Sequence, residues 1–126
     1  MVLIAVALCA FGAPQRTPKR KIACKTPENA ASCYWTRGRL AVYNGGPPNI
    51  RVWKIGTKRI LGIESGPNYN EAVEEENGPD LPPNVLRVLE PHALVFADFE
   101  VCPLEAARPR HMQHACIEAA KNIVVR

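Results

Sequence analysis

Serine occurs only at Ser32 and Ser65, and neither stands in the Gly-x-Ser-x-Gly setting that exposes a nucleophile on a strand-to-helix turn. No glycine-rich phosphate loop is present. No two cysteines have the close C-x₂₋₄-C spacing that structural zinc sites prefer. No apolar run reaches the ~20 residues that a membrane-spanning helix requires. These absences remove elbow-type hydrolases, P-loop nucleotide binding, zinc ribbons and helical membrane spans from the readings the sequence supports. No cofactor is called for.

The longest apolar run is residues 2–13, which has the length of a signal-peptide core, with Ala10 and Gly12 placed for cleavage after Gly12. Residues 1–12 are therefore expected to be a signal peptide, and the mature protein to be secreted or periplasmic. Cleavage would leave one domain of 114 residues and remove Cys9. Cys24, Cys33, Cys102 and Cys116 would remain, an even number that fits two disulfides in an oxidising compartment. Of the three possible connectivities, the local one is favoured, Cys24 with Cys33 and Cys102 with Cys116, because each pair flanks a proline-containing loop. Loops of that size give roughly 2 to 3 kcal/mol each on the chain-entropy model.

Charge is divided unevenly along the chain. Residues 1–63 hold eleven Lys/Arg and one Glu, and residues 64–126 five Lys/Arg and eleven Asp/Glu, so the halves carry +10 and −6. Attraction between the halves within one fold accounts for that division without a nucleic-acid partner. Residues 13–32 read as a basic, proline-containing linker ahead of a domain at residues 33–126.

Alternation sets the fold class. Residues 34–43 and 50–55 are rich in aromatic and branched side chains and flank the turn Asn44-Gly45-Gly46-Pro47-Pro48-Asn49. Leu40, Val42, Ile50 and Val52 fall on one face, and Arg39, Arg51 and Trp53 on the other. Residues 59–63 make a third strand. Residues 64–83 form a long loop containing Glu71, Glu74, Glu75 and Glu76, and residues 83–90 suit a short helix with Pro83 in its first turn. The run 93–101 is the strongest strand, and two more are expected at 112–118 and 122–126. The expected architecture is a single small antiparallel β-sandwich, immunoglobulin- or transthyretin-like, with one short helix.

The strings Cys33-x₃-Arg37-Gly38-Arg39-Leu40-x₂-Tyr43-Asn44-Gly45, Ile50-Arg51-Val52-Trp53, Gly56-Thr57-Lys58-Arg59-x-Leu61-Gly62, Asp98-Phe99-x-Val101-Cys102-Pro103 and Met112-Gln113-x₂-Cys116 resemble a family of small, uncharacterised exported bacterial proteins. That resemblance implies export and one compact domain and supplies no functional residues; this chain has Arg37 where the family is expected to carry His. A more distant likeness, resting on Gly38-Arg39-Leu40, Asn44-Gly45 and the Ile-x-Val-Trp strand, is to transthyretin-like sandwiches.

Trp35, Arg37, Tyr43, Arg51 and Trp53 are the candidate binding residues, because Trp, Tyr and Arg dominate interaction hot spots. They describe a non-catalytic binding module for an extracellular carbohydrate, protein or envelope component. The alternative is a small envelope hydrolase or metal-binding protein, which needs Asp98 to converge with His92, His111 or His114. Asp98, within an apolar strand, reads more simply as the partner of a base such as Arg39 or Arg51.

Overall fold

The computed structural model describes residues 22–67 and 79–126. The signal-peptide reading of residues 1–12, the linker as far as residue 21 and the acidic part of the long loop lie outside the described residues. Five strands, β1 (Tyr34–Val42), β2 (Ile50–Lys54), β3 (Ile60–Ile63), β4 (Val95–Pro103) and β5 (Gln113–Val125), and one short helix, α1 (Pro83–Leu86), follow a 3₁₀ turn at Ala30–Ser32.

The sheet closes into a barrel in the order β1-β2-β3-β5-β4, with β4 returning to β1. This corrects the expected sandwich. Alternation divides each strand into an inner and an outer face in either architecture, so it does not separate the two; the pairing of β1 does. β1 uses Gly38–Val42 to pair with β2 and Tyr34–Leu40 to pair with β4, both antiparallel, which satisfies its two edges and leaves no second layer to form. The antiparallel expectation also fails at one seam, because β3 runs parallel to β5 through Leu61, Gly62 and Ile63. With a helix between β3 and β4, the result is a closed five-stranded barrel of mixed strand direction.

The two C-terminal strands expected at 112–118 and 122–126 are one continuous strand. β5 pairs with β3 at its start and with β4 along the rest, and register shifts between Glu100 and Val101 and between Phe96 and Asp98 let it bend across the barrel. Asn122, in the left-handed region at φ 56°, stands at the second shift.

The inner face follows the alternation. Leu40, Val52, Val95, Ala97, Phe99, Val101, Ala115 and Ile117 are all fully buried, while Phe96, Asp98 and Glu100 between them are not. Gly38 is required inside: a Cβ there would stand 2.5 Å from Val52 Cγ1. Leu81 and Val85 enter the same core, so α1 and the residues before it close one end. Pro83 occupies the first turn of α1, and Asn84 Nδ2 donates to the Ala120 carbonyl at 2.8 Å.

The disulfides join Cys24 to Cys116 and Cys33 to Cys102, which corrects the local connectivity. The barrel's closure explains it. Tyr34 pairs with Val101 on the β1–β4 ladder, so Cys33 falls opposite Cys102, while Cys116 is the register partner of Cys102 on the other side. Cys102 therefore has a cysteine on both flanks and bonds the one on the β1 side, leaving Cys116 to bond Cys24. Two disulfides are consistent with an oxidising, extracellular environment.

Candidate functional site

The turn after β2 is braced locally. Thr57 N donates to the Lys54 carbonyl at 3.1 Å, Gly56 takes φ 82°, and the Trp53 indole N–H donates to the Thr57 carbonyl at 2.7 Å. The brace carries Lys58 and Arg59. On β2 itself, Arg51 Nε donates to the Pro48 carbonyl at 3.0 Å and its guanidinium lies 4.9 Å from the centre of the Tyr43 ring, fixing the β1–β2 loop and the arginine together.

The parallel seam then brings in the β4–β5 loop. Gln113 starts β5 beside Leu61, and Gln113 Nε2 donates to the Glu105 carbonyl at 2.9 Å, tying the two ends of that loop. Gly62 lets it approach, since a Cβ there would meet Pro48 Cγ at 2.6 Å and the Met112 sulfur at 3.3 Å. His111 N donates to the Arg108 carbonyl at 3.2 Å, making a turn in which Arg110 takes φ 65°. A non-glycine residue in that region is strained, and such residues collect at functional sites.

Between these elements runs an open groove of about 440 Å³. Its cations are Arg51, Lys58, Arg59, Arg108 and Arg110, with Ile60, Pro109 and Met112 as apolar wall, and no Asp or Glu is among the described residues that line it. Five like charges facing one concavity attract counter-ions, and its volume is that of a ligand site. Of the five residues singled out from the sequence, Arg51 lines the groove and Tyr43 and Trp53 hold its parts in place.

Trp35 and Arg37 lie elsewhere on the barrel. Arg37 Nη1 is 3.4 Å from Asp98 Oδ1 and donates to the Asn122 carbonyl at 2.9 Å, while Asn122 Nδ2 donates to Asp98 Oδ2 at 2.7 Å. The partner of Asp98 is thus Arg37, not Arg39 or Arg51. The hydrogen bond from Asn122 does most to hold the Asp98 carboxyl below its ordinary pKa; desolvation opposes it, and the hydrogen bond and charge of Arg37 add to the lowering. This cluster fastens the β5 shift at Asn122. Trp35 is 46% exposed but lies under Lys121, whose Nζ is 4.4 Å from the ring centre.

Asp98 does not converge with the histidines. Asp98 pairs in register with Lys121, seven positions along β5 from His114, whose Nδ1 is 3.3 Å from Glu64 Oε1. His111 lines the basic groove, and His92 is exposed ahead of β4. The sulfurs of Cys24, Cys102 and Cys116 gather within 4.8 Å, a spacing that could suit a metal, but all three belong to disulfides.

Sequence reasoning missed Lys58, Arg59, Arg108 and Arg110. The run Arg108-Pro109-Arg110-His111, set inside the acidic half of the chain, was the available signal. Comparison with protein-family models, with curated proteins and with solved structures finds no match to this chain.

Proposed function

We propose that this protein is an exported, non-catalytic binding module whose β2–β3 turn and β4–β5 loop grip an anionic ligand. The observation that carries the proposal is the groove itself, where five cations face one concavity with no lining carboxylate among the described residues. Architecture supports the same location by analogy: barrels of this strand order seat their ligands on the β2–β3 face and the adjoining β1–β2 and β4–β5 loops. Arginine supplies four of the five cations, and its planar fork matches carboxylate, sulfate or phosphate oxygens in pairs.

The test is a titration of inorganic polyphosphate, a generic polyanion, into ¹⁵N-labelled disulfide-intact protein. Amide shifts should move at Arg51, Lys58, Ile60, Arg110 and Met112, and the apparent affinity should fall steeply with added salt. The R59E/R108E double variant should lose the response. Shifts confined to the Trp35–Arg37 side, or none at millimolar polyphosphate, would overturn the reading.

A further inference from the structure

Two features of the groove narrow the chemistry of what it binds, and this inference rests on the anion-binding reading above. The first is the state of the aromatic rings. Single-stranded nucleic acids are held by bases stacked on open aromatic faces beside a basic track. No Trp, Tyr or Phe is among the described residues lining the groove. The neighbouring rings are already covered by cations of this chain: Arg51 lies over Tyr43 at 4.9 Å and Arg39 over Trp53 at 5.1 Å. A base stacking on the covered face of Tyr43 would have to displace Arg51, and would lose the cation that should hold its phosphate.

The second feature is the wall. Ile60, Pro109 and Met112 offer aliphatic surface between the charges. Sugar rings present C–H faces that lie against aliphatic side chains, and charged substituents at intervals along the chain would meet the arginines. Neutral sugars, which rely on aromatic platforms for their affinity, would find none in the described lining. The two disulfides fit an oxidising compartment, where acidic glycans of envelopes and matrices are exposed.

We infer that the groove is a binding site for an acidic polysaccharide, a chain of sugar rings bearing carboxylate or sulfate groups, recognised by Arg51, Arg59, Arg108 and Arg110 through charge rather than by stacking.

The experiment compares three probes at one salt concentration on the disulfide-intact protein: a galacturonate hexasaccharide with six carboxylates, a neutral galactose hexasaccharide, and a thymidine heptanucleotide, whose six phosphodiesters match that charge. The galacturonate probe should bind at least tenfold tighter than either of the others, with amide shifts at Lys58, Ile60, Arg110 and Met112. R110A and R59A should each weaken it several-fold without a change in the far-ultraviolet dichroism, and R37A, in the Asp98–Asn122 cluster outside the groove lining, should leave it unchanged. Equal or tighter binding of the heptanucleotide would overturn the polysaccharide assignment while leaving the anion groove standing. If neither the hexasaccharide nor polyphosphate moves the groove amides, both readings fall together.

Discussion

The long-range disulfides make a quantitative claim about stability. Cys24 and Cys116 are 92 residues apart and Cys33 and Cys102 are 69 apart. Taken singly, loops of those lengths correspond to about 4.6 and 4.4 kcal/mol of lost chain entropy in the unfolded state. They are nested, however. With Cys33–Cys102 intact, the outer bond closes only the circuit through residues 24–33 and 102–116, about 23 residues, for which the same model gives about 3.4 kcal/mol. Replacing Cys24 and Cys116 by Ala also removes two buried sulfurs. The double variant C24A/C116A should therefore lose about 3 to 5 kcal/mol in equilibrium urea unfolding. Tryptic mapping without reduction checks the connectivity independently. Cleavage after Lys21, Lys25, Arg37, Arg87, Arg110 and Lys121 should yield peptide 22–25 bonded to 111–121, and 26–37 bonded to 88–110. The local scheme would instead bond 22–25 to 26–37. A loss below about 1.5 kcal/mol, or that second map, would refute the nested arrangement.

Val52, fully buried against the inner face at Gly38, should cost roughly 2 to 3 kcal/mol when truncated to Ala, read as a shifted urea midpoint at unchanged slope. Gly62→Ala should cost about 1 to 3 kcal/mol, because the new methyl meets the Pro48 ring, and should perturb the groove amides as well. Arg110→Gly removes a charge and a strained backbone position together, so its midpoint should hold or rise within about 1 kcal/mol while polyanion binding weakens. Asp98, whose folded pKa is lowered by Asn122 and Arg37, should stabilise the fold above the unfolded carboxyl pKa near 4 and lose that contribution as pH falls through its folded value. The stability difference between the natural chain and D98N should shrink across that acid window; a difference that grows would reverse the sign of the coupling.

What the sequence revealed depended on how local each signal was. The alternation along residues 39–42 and 50–53 placed Leu40, Val42, Ile50 and Val52 inward and Arg39, Arg51 and Trp53 outward. A pleat fixes side-chain direction whatever the strand pairs with, and the division holds for Leu40, Ile50 and Val52, but at the end of β1 Val42 is only half-buried and Ala41 is buried instead. The short helix at Pro83 and the long strand before Cys102 were legible for the same reason. Closure was not: whether β1 pairs with β4 is decided by contacts across some 60 residues, which no periodicity records. The disulfides followed the closure, since Cys33 meets Cys102 only once β1 lies against β4.

The groove was hidden by the same non-locality, and its chemistry depends on it. Arg51 and Lys58–Arg59 come from one hairpin and Arg108–Arg110 from a loop about 50 positions later, within the half of the chain whose net charge is negative. Only the parallel seam of β3 on β5, which sets Leu61 beside Gln113, turns two unremarkable basic stretches into one facing pair. Gly62 and Met112 mark where the seam closes tightly. Charge counted along the chain suggested that the halves neutralise one another. Charge counted across the seam gives a concavity of one sign, and Trp53 and Tyr43, the residues the sequence put forward as contacts, instead act as the bracing that holds its cations in place.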